Sequence, residues 1–216
     1  FKMFSLVGDG TVKSLLDVGW GEGSHCRIFK KLGASKVTGI DVSEKMIELA
    51  MAEENRSRLG IDYRISSADK YPESLGQFDI CLAVLLLHYA DSEAKLIKFM
   101  EQAKAHLKPG CPLVGLTTNP DLEIPDFKID VQYGVLGCVA DGGPLVSGAK
   151  LRVQIAGSIF HTYYWDRQTY IRCAKAAGFN TCEFISIKLD PSVSDEQRQW
   201  LSNIFVRPRI IGFRFF

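Results

Sequence analysis

The chain has 216 residues, with 26 basic against 25 acidic side chains, 46% apolar and 24% charged residues. That mixture suits one globular unit with its own core and excludes disordered, collagen-like and highly charged tail proteins. A net charge of +1 lacks the basic excess of a nucleic-acid binder. The longest apolar run, 80–87, has the length of a buried strand and falls well short of the ~20 residues of a membrane span.

From residue 12 to 118 the pattern is strand, loop, helix, repeated. Residues 12–18 (VKSLLDV) read as a first strand ending at a glycine cluster, and 24–32 as a helix stopped by Gly33. Residues 36–41 (KVTGID) are a second strand. Residues 43–59 are helical, with Ser43 as N-cap, Met46, Ile47, Ala50 and Met51 as the apolar stripe, and Gly60 as the stop. A third strand is expected at 61–66 and a fourth at 78–86. The latter is apolar without alternation, as suits a central strand covered on both faces. A helix at 92–107 stops at Lys108-Pro109-Gly110, and 112–118 is a fifth strand. The stretch 119–149 holds three of the eight prolines and no helical period. Residues 151–164 alternate like a hairpin or half-exposed strand. A helix at 166–177 with Asp166 as N-cap, a strand at 182–188, a short helix at 194–201 and a strand at 209–215 complete the chain.

Strands alternating with helices imply right-handed parallel βαβ units, which put a ligand at the carboxyl ends of the strands, just after Val18, Ile40, Ser66 and Val84. The sharpest local signal is Asp17-Val18-Gly19-Trp20-Gly21-Glu22-Gly23. Alternate glycines between strand and helix let backbone turn tightly and approach a ligand. The spacing is GxGxG, not the GxGxxG of nicotinamide-binding domains. Asp41 stands 22 residues after Gly19, at the end of the second strand, where a carboxylate can accept both hydroxyls of a ribose.

The segments LLDVGWGEG (15–23), GIDVSEKMIELA (39–50), SSAD (66–69), QFDICLAVLLLHYA (77–90) and LKPGCPLVGLTT (107–118) together resemble the class I S-adenosylmethionine-dependent methyltransferases, in family order and spacing over about half the chain. FHTYYW (160–165), AAGF (176–179) and PSVS (191–194) resemble the small-molecule, toxoflavin-synthase-like branch. The resemblance implies an α/β, Rossmann-like class I methyltransferase fold: a mostly parallel seven-stranded sheet with an inserted lid between strand five and the following helix. Residues 12–118 would form the cofactor-binding half, 119–165 the lid and acceptor insertion, and 166–216 the C-terminal elements of a single domain.

The resemblance also implies roles. S-adenosylmethionine would be the cofactor and S-adenosylhomocysteine the product. Asp17, Gly19 and Gly21 would hold the methionine part, Asp41 the ribose, Val42 and Met46 the two faces of the adenine, and Ala68 and Asp69 its edge. Ala83 and Val84 would floor the site near the sulfonium. Trp20 stands where the family usually has a small residue, so its indole would stack on the cofactor, point away, or fill its space. Only about eleven residues precede Val12, and three states of the site follow as alternatives: open, completed by another chain, or unable to bind.

In-line methyl transfer needs alignment and a dry pocket, and a base only for a protonated acceptor. His88 with Tyr89, and His161 with Tyr163, Tyr164 and Trp165, are the candidate base and acceptor pocket. Residues 85–88 (LLLH) replace any Asn-Pro-Pro-Tyr-type tetrad. The six cysteines form no CxxC pair, so free thiols and no metal are expected. The expected partner is a small-molecule acceptor, with no nucleic acid and no membrane, in a cytoplasmic protein open to homodimerisation; no signal-peptide pattern opens the chain. The competing reading is a catalytically silent binding or scaffold protein with an impaired cofactor site.

Overall fold

The computed structural model describes residues 4–7, 12–123, 135–140, 142–155, 157–187, 194 and 208–216. In chain order the elements are α1 (Phe4–Val7), β1 (Ser14–Val18), α2 (Ser24–Lys31), β2 (Lys36–Asp41), α3 (Glu44–Arg56), β3 (Asp62–Ile65), β4 (Ile80–Val84), α4 (Glu93–Ala105), β5 (Leu113–Thr118), β6 (Val135–Val139), β7 (Lys150–Ile155), β8 (Ser158–Tyr163), α5 (Arg167–Ala176), β9 (Cys182–Ile185) and β10 (Ile210–Phe215).

Seven strands form one sheet in the order β3-β2-β1-β4-β5-β10-β9. β3, β2, β1, β4 and β5 pair in parallel, and β10 runs antiparallel to both β5 and β9. This is the mostly parallel, Rossmann-like sheet that the resemblance implies. The chain winds outward from β1 to β3, then returns to place β4 on the other side of β1. Helices leaving β1 and β4 thus diverge, and a crevice opens above the carboxyl ends of those two strands.

The unbroken apolar runs of β1 and β4 follow from burial on both faces. Successive residues alternate between two cores: Leu16, Cys81 and Ala83 pack with α4 and α5, whereas Leu15, Ile80 and Leu82 pack with α2 and α3. The helix starts read from the sequence carry their caps. Ser43 Oγ accepts from Met46 N, Ser92 Oγ from Lys95 N, and Asp166 Oδ1 from Thr169 N at 2.7 Å. α3 stops at Arg56, ahead of Gly60. The Glu54 carboxylate takes the backbone N–H groups of Leu59 and Gly60 at 2.7 and 2.6 Å and turns the chain out of the helix.

Strand four is shorter than expected. It ends at Val84, and Leu87–Tyr89 form a turn of 3-10 helix. Between β5 and α5 lies a second, three-stranded antiparallel sheet, β6-β7-β8. The β7–β8 pair is the expected alternating hairpin, whereas β6 falls in a stretch read without any strand. The expected helix at 194–201 lies outside the described residues except for Ser194, as do residues 191–193 of PSVS. No described helix is long and apolar enough to cross a membrane. Cys26, Cys81, Cys111, Cys173 and Cys182 are free thiols.

Candidate functional site

A cleft of about 650 Å³ occupies the crevice above β1 and β4. Its walls include Gly19, Gly21, Asp41, Val42, Met46, Ala68 and Val84, seven of the residues expected there. They meet because each follows the carboxyl end of a parallel strand. Gly19 and Gly21 have φ of 67° and 58°, in the left-handed region where a side chain is strained. Asp41 ties the cleft together: its Oδ2 accepts from Gly21 N at 3.1 Å and its Oδ1 from Ser43 N at 2.9 Å. A carboxylate has about four acceptor sites, so two further hydroxyls fit.

Four expected cofactor residues, Asp17, Trp20, Asp69 and Ala83, are not in that wall. Trp20 is 5% exposed, packs on Tyr63 with ring centroids 4.6 Å apart, and belongs to the core under α2 and α3. Gly39 makes room for it, since a Cβ there would meet the indole at 2.9 Å. Of the three orientations open to Trp20, the indole points away from the cleft. Ala83 faces the core on the opposite side of β4 from the Leu82 cluster. The Asp69 carboxylate accepts from Ser67 Oγ, and Ser66 and Ser67 take its expected place in the wall.

Asp17 is fully buried beneath the loop. Its Oδ2 accepts from the Cys26 thiol at 3.3 Å, and its Oδ1 has no hydrogen-bond partner. Burial, with the Asp41 charge adding, pushes its pKa from 3.8 up to about 7. An orphaned carboxylate oxygen next to the loop suits a cationic ligand group. Without ligand it costs stability. Well below pH 3.8 both folded and unfolded chains hold the proton. As pH rises toward 7 the unfolded chain ionises first, and stability is lost, by roughly 4 kcal/mol at 1.36 kcal/mol per pKa unit. Asp17→Asn removes that penalty: the ligand-free variant is expected to melt above wild type at pH 8, with the gap closing toward pH 4 in thermal scans.

A second cavity of about 240 Å³ adjoins the first, with Leu85 and Tyr89 in the walls of both. It lies between the turn after β4 and the small sheet. Cross-strand pairs supply one wall: Leu151 opposite Thr162 and Val153 opposite Phe160, since directly opposed residues share a face. His88 lines it at 7% exposure, with Nδ1 3.3 Å from Thr118 Oγ1. Burial pushes the His88 pKa down to about 4, so the imidazole is neutral at physiological pH.

The aromatic run does not converge on this pocket as expected. His161 pairs with Arg152 on the other face of the hairpin and is exposed, because side chains alternate along a strand and Phe160 and Thr162 already point inward. Tyr163 packs against the large core. Tyr164 is buried and donates from its hydroxyl to Pro120 O at 2.5 Å; Trp165 is buried and donates from Nε1 to Ala90 O at 3.2 Å. These rings fasten the insertion to the sheet. The residues that do line the pocket, Leu122, Leu151, Val153, Phe160 and Thr162 among them, were missed; the alternation of 151/153 with 160/162 was the available signal. In the larger cleft, Lys95 and Phe99 of α4 were missed as well.

A glycine loop and the Asp41 carboxylate line this cleft at the switch point of the sheet, and the strand order is that of a class I S-adenosylmethionine-dependent methyltransferase fold. Residues 15–110 match the family described as "Methyltransferase domain". Over 110 residues the chain is 36% identical to a Brucella anthropi protein named ubiquinone biosynthesis O-methyltransferase, covering 50% of this chain and 42% of that protein. The match thus spans less than half the length of that curated relative. An S-adenosylmethionine-dependent methyltransferase from Mesorhizobium loti superposes with a TM-score of 0.67 at 20% identity, covering 99% of this chain and 95% of that one. An amino pentose methyltransferase from Micromonospora echinaspora, solved with S-adenosylmethionine bound, gives 0.61 at 18% identity, covering 99% and 86%. The family match covers residues 15–110, less than half of the chain, and the fold is that of the solved S-adenosylmethionine-dependent methyltransferases.

Proposed function

We propose that the chain transfers a methyl group from S-adenosylmethionine to an oxygen or nitrogen of a small-molecule acceptor held in the apolar pocket. The observation that carries this reading is the pair of adjoining cavities: one walled by the glycine loop and Asp41, the other mostly apolar with the buried His88 and Arg209 in its wall, both sharing Leu85 and Tyr89. The bound cofactor supplies a methyl group already activated on a sulfonium.

The residues of the chain then hold, align and exclude water. Asp41 accepts the ribose hydroxyls, Val42 and Met46 flank the adenine, Ala68 meets its edge, and Asp17 balances the ammonium charge. Leu122, Leu151, Val153 and Phe160 hold the apolar part of the acceptor, and Arg209 is the cationic side chain of the same wall. His88 takes the proton that an acceptor hydroxyl or N–H releases on methylation. Nδ1 lies 3.3 Å from Thr118 Oγ1, and in the tautomer that carries its proton on Nδ1, Nε2 is the basic atom. The silent-scaffold alternative drew in part on Trp20 filling the cofactor's space, and the buried position of the indole removes that part of its support.

Calorimetric titration tests the reading. S-adenosylmethionine and S-adenosylhomocysteine are expected to bind and NADH not to. Binding of NADH alone overturns it. An acceptor screen of phenols and amines follows, and His88→Ala is expected to lower methylation of the acceptor it yields by about 10²–10⁴-fold while leaving S-adenosylhomocysteine affinity within twofold. Equal losses in affinity and rate would instead make His88 a structural residue of the pocket.

A further inference from the structure

Leu85 has φ of 55°, and among the described residues it alone combines a side chain with a positive φ. For a leucine this is strained backbone. The site would be served at lower cost by glycine or asparagine if only a turn were needed. The chain does turn here, from β4 into the Leu87–Tyr89 helix turn, and the Leu85 N–H is fastened to Leu116 O at 2.8 Å. Those features concern the backbone alone and do not call for a large side chain.

The Leu85 side chain has its own place. The residue is half-buried and stands in the walls of both cavities. Its neighbour Leu86 lies against the glycine loop, with Cδ1 3.0 Å from the point where a Gly19 Cβ would sit. The leucine pair thus closes the cleft from the β4 side, Leu86 against the loop and Leu85 against the second cavity.

We infer that Leu85 is a positioning residue whose strained conformation is kept for its side chain, which forms the partition between the cofactor cleft and the acceptor pocket. The inference rests on the methyltransferase reading. Strain and partition are separable by substitution. Leu85→Gly removes both, Leu85→Ala removes the partition and keeps the strain, and Leu85→Met keeps both.

The experiment combines thermal melting with calorimetric titration of S-adenosylhomocysteine. Leu85→Gly is expected to melt above Leu85→Ala although it has one carbon fewer, reversing the usual order. Both are expected to weaken S-adenosylhomocysteine binding about tenfold, the scale of a missing apolar contact in a pocket, and Leu85→Met to bind within twofold of wild type. Leu85→Gly melting below Leu85→Ala would overturn the strain. Unchanged binding in Leu85→Gly would overturn the partition. Wild-type protein that fails to bind S-adenosylhomocysteine would bring down the methyltransferase reading and this inference together, an outcome distinct from the other two.

Discussion

Asp41→Ala is expected to weaken S-adenosylhomocysteine binding by at least 100-fold. The carboxylate is the one charged group in the cleft wall contributed by the end of β2. A hydrogen bond to a charged group contributes about 1.5–3 kcal/mol, roughly twice a neutral one. Two ribose hydroxyls left without their acceptor therefore cost about 3–6 kcal/mol, which is 10²-fold or more. The substitution also frees the N–H groups of Gly21 and Ser43 that the carboxylate holds at 3.1 and 2.9 Å, so the loop loses its tie to β2. Asp41→Asn keeps an acceptor for one of those N–H groups and is expected to fall between the two. Calorimetry reads the affinity, and melting of the ligand-free proteins separates loop loosening from loss of ligand contacts. Binding within threefold of wild type in Asp41→Ala would remove Asp41 from the cofactor site.

Trp165→Ala is expected to cost about 3–5 kcal/mol of stability, the range for deleting a buried large aromatic. The indole is 3% exposed, sits in the main core, and donates to Ala90 O at the turn after β4. It lies two residues after β8 and two before α5, so it anchors the exit of the insertion. Trp165→Phe retains most of the packing and loses the hydrogen bond, at about 1–3 kcal/mol for the carbonyl left without its partner. Chemical denaturation with both variants checks the order. A Trp165→Ala cost under 1 kcal/mol would show that the insertion is held by other contacts. Because the ring is core and no pocket wall, Trp165→Phe is expected to leave S-adenosylhomocysteine affinity within twofold.

The cofactor half was legible in the sequence because its determinants are local. A strand, a glycine loop and a helix occupy consecutive positions, and parallel winding forces every strand to end at the same edge. Gly19, Gly21, Asp41, Val42, Met46, Ala68 and Val84 converge for that reason alone. Caps were legible too: Ser43 and Asp166 bond to N–H groups three residues away in the chain, so no distant partner is needed.

The acceptor side was not legible in the same way. His161 and Tyr163-Tyr164-Trp165 form a conspicuous cluster along the chain, yet a strand sends neighbours to opposite faces, and the rings were claimed by three different surroundings: solvent, the hairpin core and the main core. Trp20 is adjacent to two cleft glycines but its indole fits the gap over Gly39, a position 19 residues on that no local pattern links to it.

Sequence by itself determined the order of strands and helices from β1 to β5, the glycine loop, and the edge of the sheet at which the cleft opens, since these depend on propensity, spacing and the handedness of βαβ units. Only the tertiary structure decided which side chains face the second cavity, where the Trp20 and Trp165 rings go, and that Leu85 takes a left-handed conformation between two cavities. Those outcomes depend on what a segment meets across space, and packing against distant neighbours sets them at costs of a few kcal/mol that no local pattern records.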